Sequence, residues 1–162
     1  MEFDIEQTDE LLSTTRAVRL RLDLERDVPD DLLLRCIELA EQAPTGAGVS
    51  SRRWLVIRDQ ETKSRLAELY RAAGGSRMID RSQERGKPED LQERVADSAA
   101  HLAANLEKVP VLVLATIWGV HDGSGRPGLF DSVIQAAWSF CLALRARGLG
   151  SAWTTLHLGK AK

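Results

Sequence analysis

A layered α/β or α+β fold is what this sequence predicts, and three observations carry the prediction. Helical apolar spacing recurs in several stretches, and short β-prone apolar runs stand between them. One stretch, Val133 to Leu144, is apolar or small over most of its helical surface, as a helix buried nearly all round must be. With 162 residues and no internal repeat, low-complexity tract or linker, 1–162 reads as a single domain with one core.

Taken in order, Ile5 to Ser13 has the pattern of a short helix. In "TTRAVRLRLDLERDVP", Val18, Leu20, Leu22 and Leu24 alternate with Arg19, Arg21 and Asp23, the period of an extended segment with one buried face. Pro29 opens a helix with Asp30 and Asp31 in its first turn and Leu33, Ile37 and Ala40 on one face, and Pro44 stops it. "WLVIRD" from Trp54 reads as a strand entering a turn. Leu66, Leu69, Tyr70 and Ala73 then give helical spacing that ends at Gly74 and Gly75.

Charge and Gly86 dominate Ser76 to Glu89, which reads as a solvated connection or a lid. Leu91 to Leu106 is helical again, and "VLVLATIW" after Pro110 is a continuous β-prone run, expected to be covered on both faces. The turn-rich "GVHDGSGRPG" leads into the apolar helix, which either a second subunit or the rest of its own domain must cover. Gly148 ends that helix, and "SAWTTLHL" offers one more short strand.

The apolar fraction of 43%, the charged fraction of 28% and the net charge of -2 give no electrostatic reason to expect nucleic acid. A small molecule or a protein is the expected partner. The N-terminus "MEFDIEQTDE" is acidic where a secretory signal is basic, and the longest apolar run, Val109 to Ile117, is too short to cross a bilayer. No membrane association and a cytoplasmic location are expected. Cys36 and Cys141 lie within helical apolar patterns, far from ligand-spaced partners, and read as buried thiols.

Familiar catalytic motifs are absent. No Lys follows the glycines of "APTGAGVSSRRW" and the strand follows that loop, so it is not a Walker A element. "GRPGLF" and "GLGS" lack the strand-to-helix setting of a dinucleotide fingerprint. His101, His121 and His157 are too dispersed to suggest a metal site, and neither a nucleophile triad nor an acid/base carboxylate pair stands out. No residue is therefore assigned a catalytic role, and any chemistry is expected to reside in a cofactor. Arg16 and Arg19, three apart in a short non-helical stretch, either present two guanidinium groups to one anion or bond to carboxylates such as Asp23 and Glu25.

Taken together, these segments resemble the nitroreductase family of flavin-dependent oxidoreductases. "TRAVR", Thr15 to Arg19, is similar to the family's R-R-S-x-R element. "VPDDLLLRCIELAEQAPTGAGVSSRRWLVIRD" follows its V-P helix, its A-P-S-G-x-N-x-Q-P-W corner and its strand. "VPVLVLATIWG" resembles the central strand, and "DSVIQAAWSFCLALRARGLGSAWTTLHL" the dimer-core helix and the G-L-G-S strand after it. The resemblance runs over nearly the whole chain from Leu12 onward.

That resemblance implies an α+β fold, a three-layer α/β/α sandwich with a mixed, mainly antiparallel sheet and a long central dimer-core helix. It implies FMN bound at a homodimer interface, with Arg16 at the phosphate end beside Ala17 and Arg19 at the N1 and C2 carbonyl edge. A fixed positive charge on that edge stabilises the reduced flavin. Pro44, Thr45, Gly46 and Gly48 would come from the partner and lie near the ring, where small side chains permit close approach. Thr154, Thr155 and Leu156 would lie on the N5 and O4 side.

The implied reaction is a ping-pong hydride relay from NAD(P)H through flavin N5 to a nitroaromatic, a quinone or a similar small-molecule acceptor. Departures from the pattern leave alternatives from other classes: a flavin-binding protein without turnover, or a flavin-free structural dimer. Thr15 replaces the first Arg, Ala17 the Ser, Gly48 the Asn, Ser50 the Gln, and "SRR" stands at the Q-P-W corner. Each hydrogen bond to a charged group is worth on the order of 1.5–3 kcal/mol, so losing two phosphate contacts implies roughly a hundredfold weaker FMN binding or more. The family's segment after the last strand, which wraps the partner, has no counterpart before Lys162, which implies lower dimer stability and flavin affinity.

Overall fold

The computed structural model describes residues 2–45, 48, 50–118 and 127–160. The backbone gathers into two compact units, each assembled from three separate stretches of chain. The first comprises 1–16, 28–56 and 113–151, and the second 17–27, 57–112 and 152–162.

Helices dominate the first unit. Helix α1, Ile5–Thr14, starts where the Asp4 carboxylate accepts the Gln7 N–H (3.0 Å). Helix α2, Asp30–Ala40, begins after Pro29, whose fixed φ suits a helix entry and whose missing N–H costs nothing there. Its Leu33, Cys36 and Ala40 are buried and α2 packs on α6, Pro127–Arg145. On α6 the buried residues include Ala136, Ala137, Phe140, Ala143 and Leu144, largely alanines that let two helices approach closely.

Helix α6 closes with a Schellman motif: the Leu149 N–H donates to Leu144 O and the Gly148 N–H to Arg145 O, both at 3.0 Å. Gly148 takes φ 75°, a conformation that costs a residue without Cβ little. Strands β1, Arg52–Ile57, and β2, Leu112–Ile117, form the sheet. They run antiparallel, since Trp118 N–H donates to Ser51 O at 2.6 Å while the Thr116 hydroxyl donates to Arg53 O at 3.0 Å.

The second unit is built on α3, Gln60–Tyr70, α4, Ser76–Arg85, and α5, Leu91–Asn105. Its core joins Ala67 and Tyr70 to Leu102, Ala103 and Leu106, with Leu22, Ile79, Val109, Leu112, Ala152 and Leu156 packed around them. Asp59 caps α3 by accepting the Thr62 N–H (2.8 Å), and Asp90 caps α5 by accepting the Glu93 N–H (2.8 Å).

Several sequence expectations are corrected here. Gly74 and Gly75 do not end the helix run; they kink it through a wide turn, Arg71–Gly75, that leads directly into α4. A Cβ on Gly75 would lie 3.0 Å from Tyr70 O and 3.2 Å from the Ala103 Cβ, so only glycine fits without rearrangement. Ser76 to Arg85 is a helix and not a connection; Ile79 packs on the core, and polar side chains add much of its contact with α5. Ser82 Oγ donates to Asp97 Oδ1 (2.8 Å) and Arg85 pairs with Asp97 (3.3 Å) and Glu93 (3.8 Å).

Val18 to Leu24 forms no strand: the Leu22 N–H turns back to Arg19 O, and Asp23 Oδ1 accepts the N–H groups of Glu25 and Arg26. Ser151 to Leu158 likewise holds no strand; the chain coils into a 3₁₀ turn at Leu156–Lys160. On α3 the buried face runs through Lys63, Ala67 and Tyr70, while Leu69 is exposed. Strand β2 is half-buried throughout instead of covered on both faces. Cys36 is fully buried, Cys141 only partly. Helix α6 is not enclosed within the chain: Ile134 and Trp138 remain 47% and 44% exposed.

Candidate functional site

In the first unit, the bend that follows α2 is held by side chains of β1. The last carbonyls of a helix have no intrahelical donor. Here Arg52 supplies one. Its Nη2 donates to Glu41 O (2.9 Å) and Ala43 O (3.1 Å), and its Nη1 donates to Ser132 O on α6 (3.2 Å). The side chain is buried, with Arg52 only 4% exposed. Its Nε lies 3.3 Å from Glu41 Oε1 in an ion pair whose geometry is not that of a hydrogen bond. Glu41 Oε1 instead accepts the indole N–H of Trp54 (2.7 Å), and Oε2 accepts the Ser50 hydroxyl (3.0 Å). Trp54 in turn packs on Phe140 of α6, with ring centroids 5.2 Å apart.

Pro44, exposed, and Thr45, half-buried, follow directly from this anchored turn. The Gly48 N–H closes back on Thr45 O (3.4 Å), with Gly48 at φ 71°. Gly46 lies outside the described residues, as does His121. Arg16, just beyond α1, is exposed, and its Nη1 donates to Thr15 O (2.9 Å). The Thr15 hydroxyl is buried and donates to Leu11 O (2.6 Å), so it faces its own helix.

In the second unit, Arg19 is half-buried, with Nη1 3.4 Å from Ser98 Oγ on α5. Asp23, one of the carboxylates considered as a partner of the arginine pair, accepts backbone N–H groups of Glu25 and Arg26. Ala17 is exposed and adds no side-chain donor. Thr154 and Leu156 converge on one residue: the Thr154 hydroxyl donates to Tyr70 Oη (3.2 Å), and Leu156 packs on the core that contains Tyr70. Thr155 is exposed, and its carbonyl accepts the Leu158 N–H (3.0 Å). Burial pushes the His157 imidazole below the usual histidine value.

Taken one at a time, these donors fit the parts of a flavin in chemical class. An exposed guanidinium at Arg16 suits a phosphate, and a second at Arg19 suits an electron-rich ring edge. The phosphate end is leaner than the sequence pattern calls for, because the Thr15 hydroxyl is committed to Leu11 and Ala17 has none. Among the described residues no cluster of His, Cys, Asp and Glu could hold a metal ion, and no helix is long and apolar enough to cross a membrane.

The nitroreductase family model matches residues 12–161. The chain belongs to that family. No curated protein sequence matches it. Solved structures share the nitroreductase fold at low identity. A BluB-like flavoprotein from Clostridium difficile 630 has 20% identity and a TM-score of 0.65, over 98% of this chain and 77% of that one. Oxidized iodotyrosine deiodinase, bound to FMN and 3-iodo-L-tyrosine, has 20% identity and a TM-score of 0.64 over 89% and 72%. The FMN-dependent nitroreductase NfnB from Mycobacterium smegmatis, in complex with NADPH, has 18% identity and a TM-score of 0.61 over 92% and 75%. Membership and fold bear out the α+β nitroreductase-like architecture expected from the sequence, and support a flavin-dependent oxidoreductase.

Sequence reasoning missed Arg52, Glu41, Ser50 and Tyr70 as site-building residues. For Arg52 a signal existed: "SRR" at the nitroreductase corner, where two arginines begin a strand, is an unusual place for charge. It was legible only as a lost contact, because the acceptors of Arg52 are backbone carbonyls, which no side-chain pattern displays.

Proposed function

We propose that this nitroreductase-family protein is an FMN-dependent NAD(P)H oxidoreductase acting as a cytoplasmic homodimer. The observation that carries the reading is the family match over residues 12–161. When bound, FMN supplies the centre that accepts hydride from NAD(P)H and passes it to a nitroaromatic, a quinone or a similar acceptor.

The chain's own residues have binding and orienting roles. Arg16 holds the phosphate, with the backbone at Ala17 beside it. Arg19 places a fixed positive charge at the N1 and C2 carbonyl edge and favours the reduced state. Pro44, Thr45, Gly46 and Gly48 of the partner subunit offer a surface without bulky side chains to the ring. Thr154, Thr155 and Leu156 serve the N5 and O4 side, where a backbone N–H donates to N5. No side chain is assigned to move a proton. The exposed Ile134 and Trp138 on α6 support the homodimer, since a second copy would cover them.

A second reading, a flavin-binding protein with little turnover, is favoured by the lean phosphate end: Thr15 donates to Leu11 O and Ala17 has no hydroxyl. Steady-state NADPH and NADH oxidation with a quinone acceptor, with and without added FMN, separates the two. Flavin-dependent turnover supports the enzyme; bound yellow flavin without turnover supports the second reading. Absence of both contradicts each.

A further inference from the structure

We infer that the Arg52–Glu41 node is a positioning device for the flavin, holding the Pro44–Thr45 bend in the shape that receives the ring. The inference rests on the FMN reading given above. It assigns roles to two residues that make no contact with the flavin themselves.

The Arg52 guanidinium serves three backbone carbonyls, of Glu41, Ala43 and Ser132, and so fixes the turn after α2 against both β1 and α6. Glu41 fixes the guanidinium from the other side, and is itself held by Trp54 and Ser50. One of these acceptors, the Ala43 carbonyl, immediately precedes Pro44, and the Glu41 carbonyl lies three residues before it. Anchoring them constrains the direction in which Pro44 and Thr45 leave the helix.

A buried ion pair is a poor source of stability compared with apolar packing of the same volume, because both charges must be desolvated. What a rigid planar fork provides here is geometry, since its donors point in fixed directions that match several acceptors at once. A lysine ammonium at the same place is a point charge on a flexible stem, and its donors are not spread to reach the turn carbonyls and the one on α6 in fixed directions. The residues that depart from the family corner, Ser50 and Arg52, therefore build a different brace for it.

The test uses the full chain, with FMN as the probe, in wild type, Arg52→Lys, Glu41→Gln and a control, Lys63→Met, in the second unit. Amide hydrogen exchange of residues 43–45 is read in flavin-free protein, and FMN affinity by quenching of flavin fluorescence. Arg52→Lys is expected to speed exchange at Ala43 and Thr45 and to weaken FMN binding roughly tenfold, the loss of about one charged hydrogen bond. Glu41→Gln, which keeps one acceptor oxygen for Trp54 or Ser50, should shift both readouts the same way by less. Lys63→Met should move neither.

Should Arg52→Lys not fold, Glu41→Gln carries the test alone. Unchanged FMN affinity in the folded variants, with wild type binding normally, overturns the positioning role and leaves the FMN reading intact. A wild type that takes up no FMN overturns both. Equal loss of affinity in Lys63→Met would show a general stability effect and also overturn the inference.

Discussion

Two buried cations, one in each unit, show how differently a positive charge can be accommodated. Arg52 is 4% exposed and Lys63 is 6% exposed. Arg52 faces a carboxylate and donates to carbonyls on the turn after α2 and on α6. Lys63, on α3, donates to the carbonyl of Val109 (3.0 Å), a residue that packs on the core of its own unit. The comparison teaches that burial alone says little about what a charged side chain contributes. The number of separate segments it joins says more, because each joined segment relies on it for a bond that water cannot replace.

The largest expected effect follows directly. Arg52→Met leaves the Glu41 carboxylate unpaired and the carbonyls of Glu41 and Ala43 without their side-chain donor, and should cost about 3 kcal/mol in urea unfolding. That lies at the lower end for a broken buried pair because the Glu41 side chain keeps 30% of its exposure to solvent. Lys63→Met removes one charged hydrogen bond but also the cost of burying an ammonium, so its stability should stay within about 1 kcal/mol of wild type. Equal losses in the two variants would break the comparison.

A smaller effect sharpens it with a half-buried group that titrates. Burial holds the folded-state pKa of His157 below the ordinary value of 6.5. The unfolded chain therefore takes up the proton first as pH falls. The contribution of His157 to stability is complete above pH 6.5 and is lost as pH drops from there through the lowered folded-state value. Melting temperatures at pH 7.5 and 5.5 should fall more in wild type than in His157→Gln. An identical fall in the two proteins would show that the imidazole is not desolvated.

Much of the fold was legible where local signals and tertiary needs coincide. Asp4 and Asp90 sit at helix starts, Gly148 closes α6, and the apolar runs at Trp54 and Val111 became the two paired strands. Legibility failed where a local pattern served another purpose. The Val18 to Leu24 alternation suggested a strand, but although Leu22 packs on the core and Leu20 is exposed, the Asp23 side chain folds the backbone into a turn. The β-prone "SAWTTLHL" takes no strand geometry, and its Thr154 donates instead to Tyr70, 84 residues distant in sequence. Helix α4 puts Ile79 on the core of its unit but meets α5 through Ser82, Arg85 and Asp97 as well, and one apolar contact among so many charges left its helical period hard to read.

The candidate site divides in the same way. Arg16, Arg19, Pro44 and Thr154 are proposed because they resemble a family pattern at matching positions. The brace behind Pro44 was not legible, since Arg52 acts through backbone carbonyls, and a sequence shows side chains only. Likewise, Tyr70 read as a core residue on a helical face, and its hydroxyl became informative only with Thr154 beside it.

Fluorescence titration of flavin-free protein with FMN, comparing wild type, Arg19→Ala and Arg21→Ala, tests the flavin assignment most directly. Saturable quenching by wild type is predicted, with Arg19→Ala weakening it on the order of tenfold, as loss of one charged contact would. Arg21→Ala should leave it nearly unchanged. Equal behaviour of the two variants, or no uptake of FMN by wild type, would contradict the account.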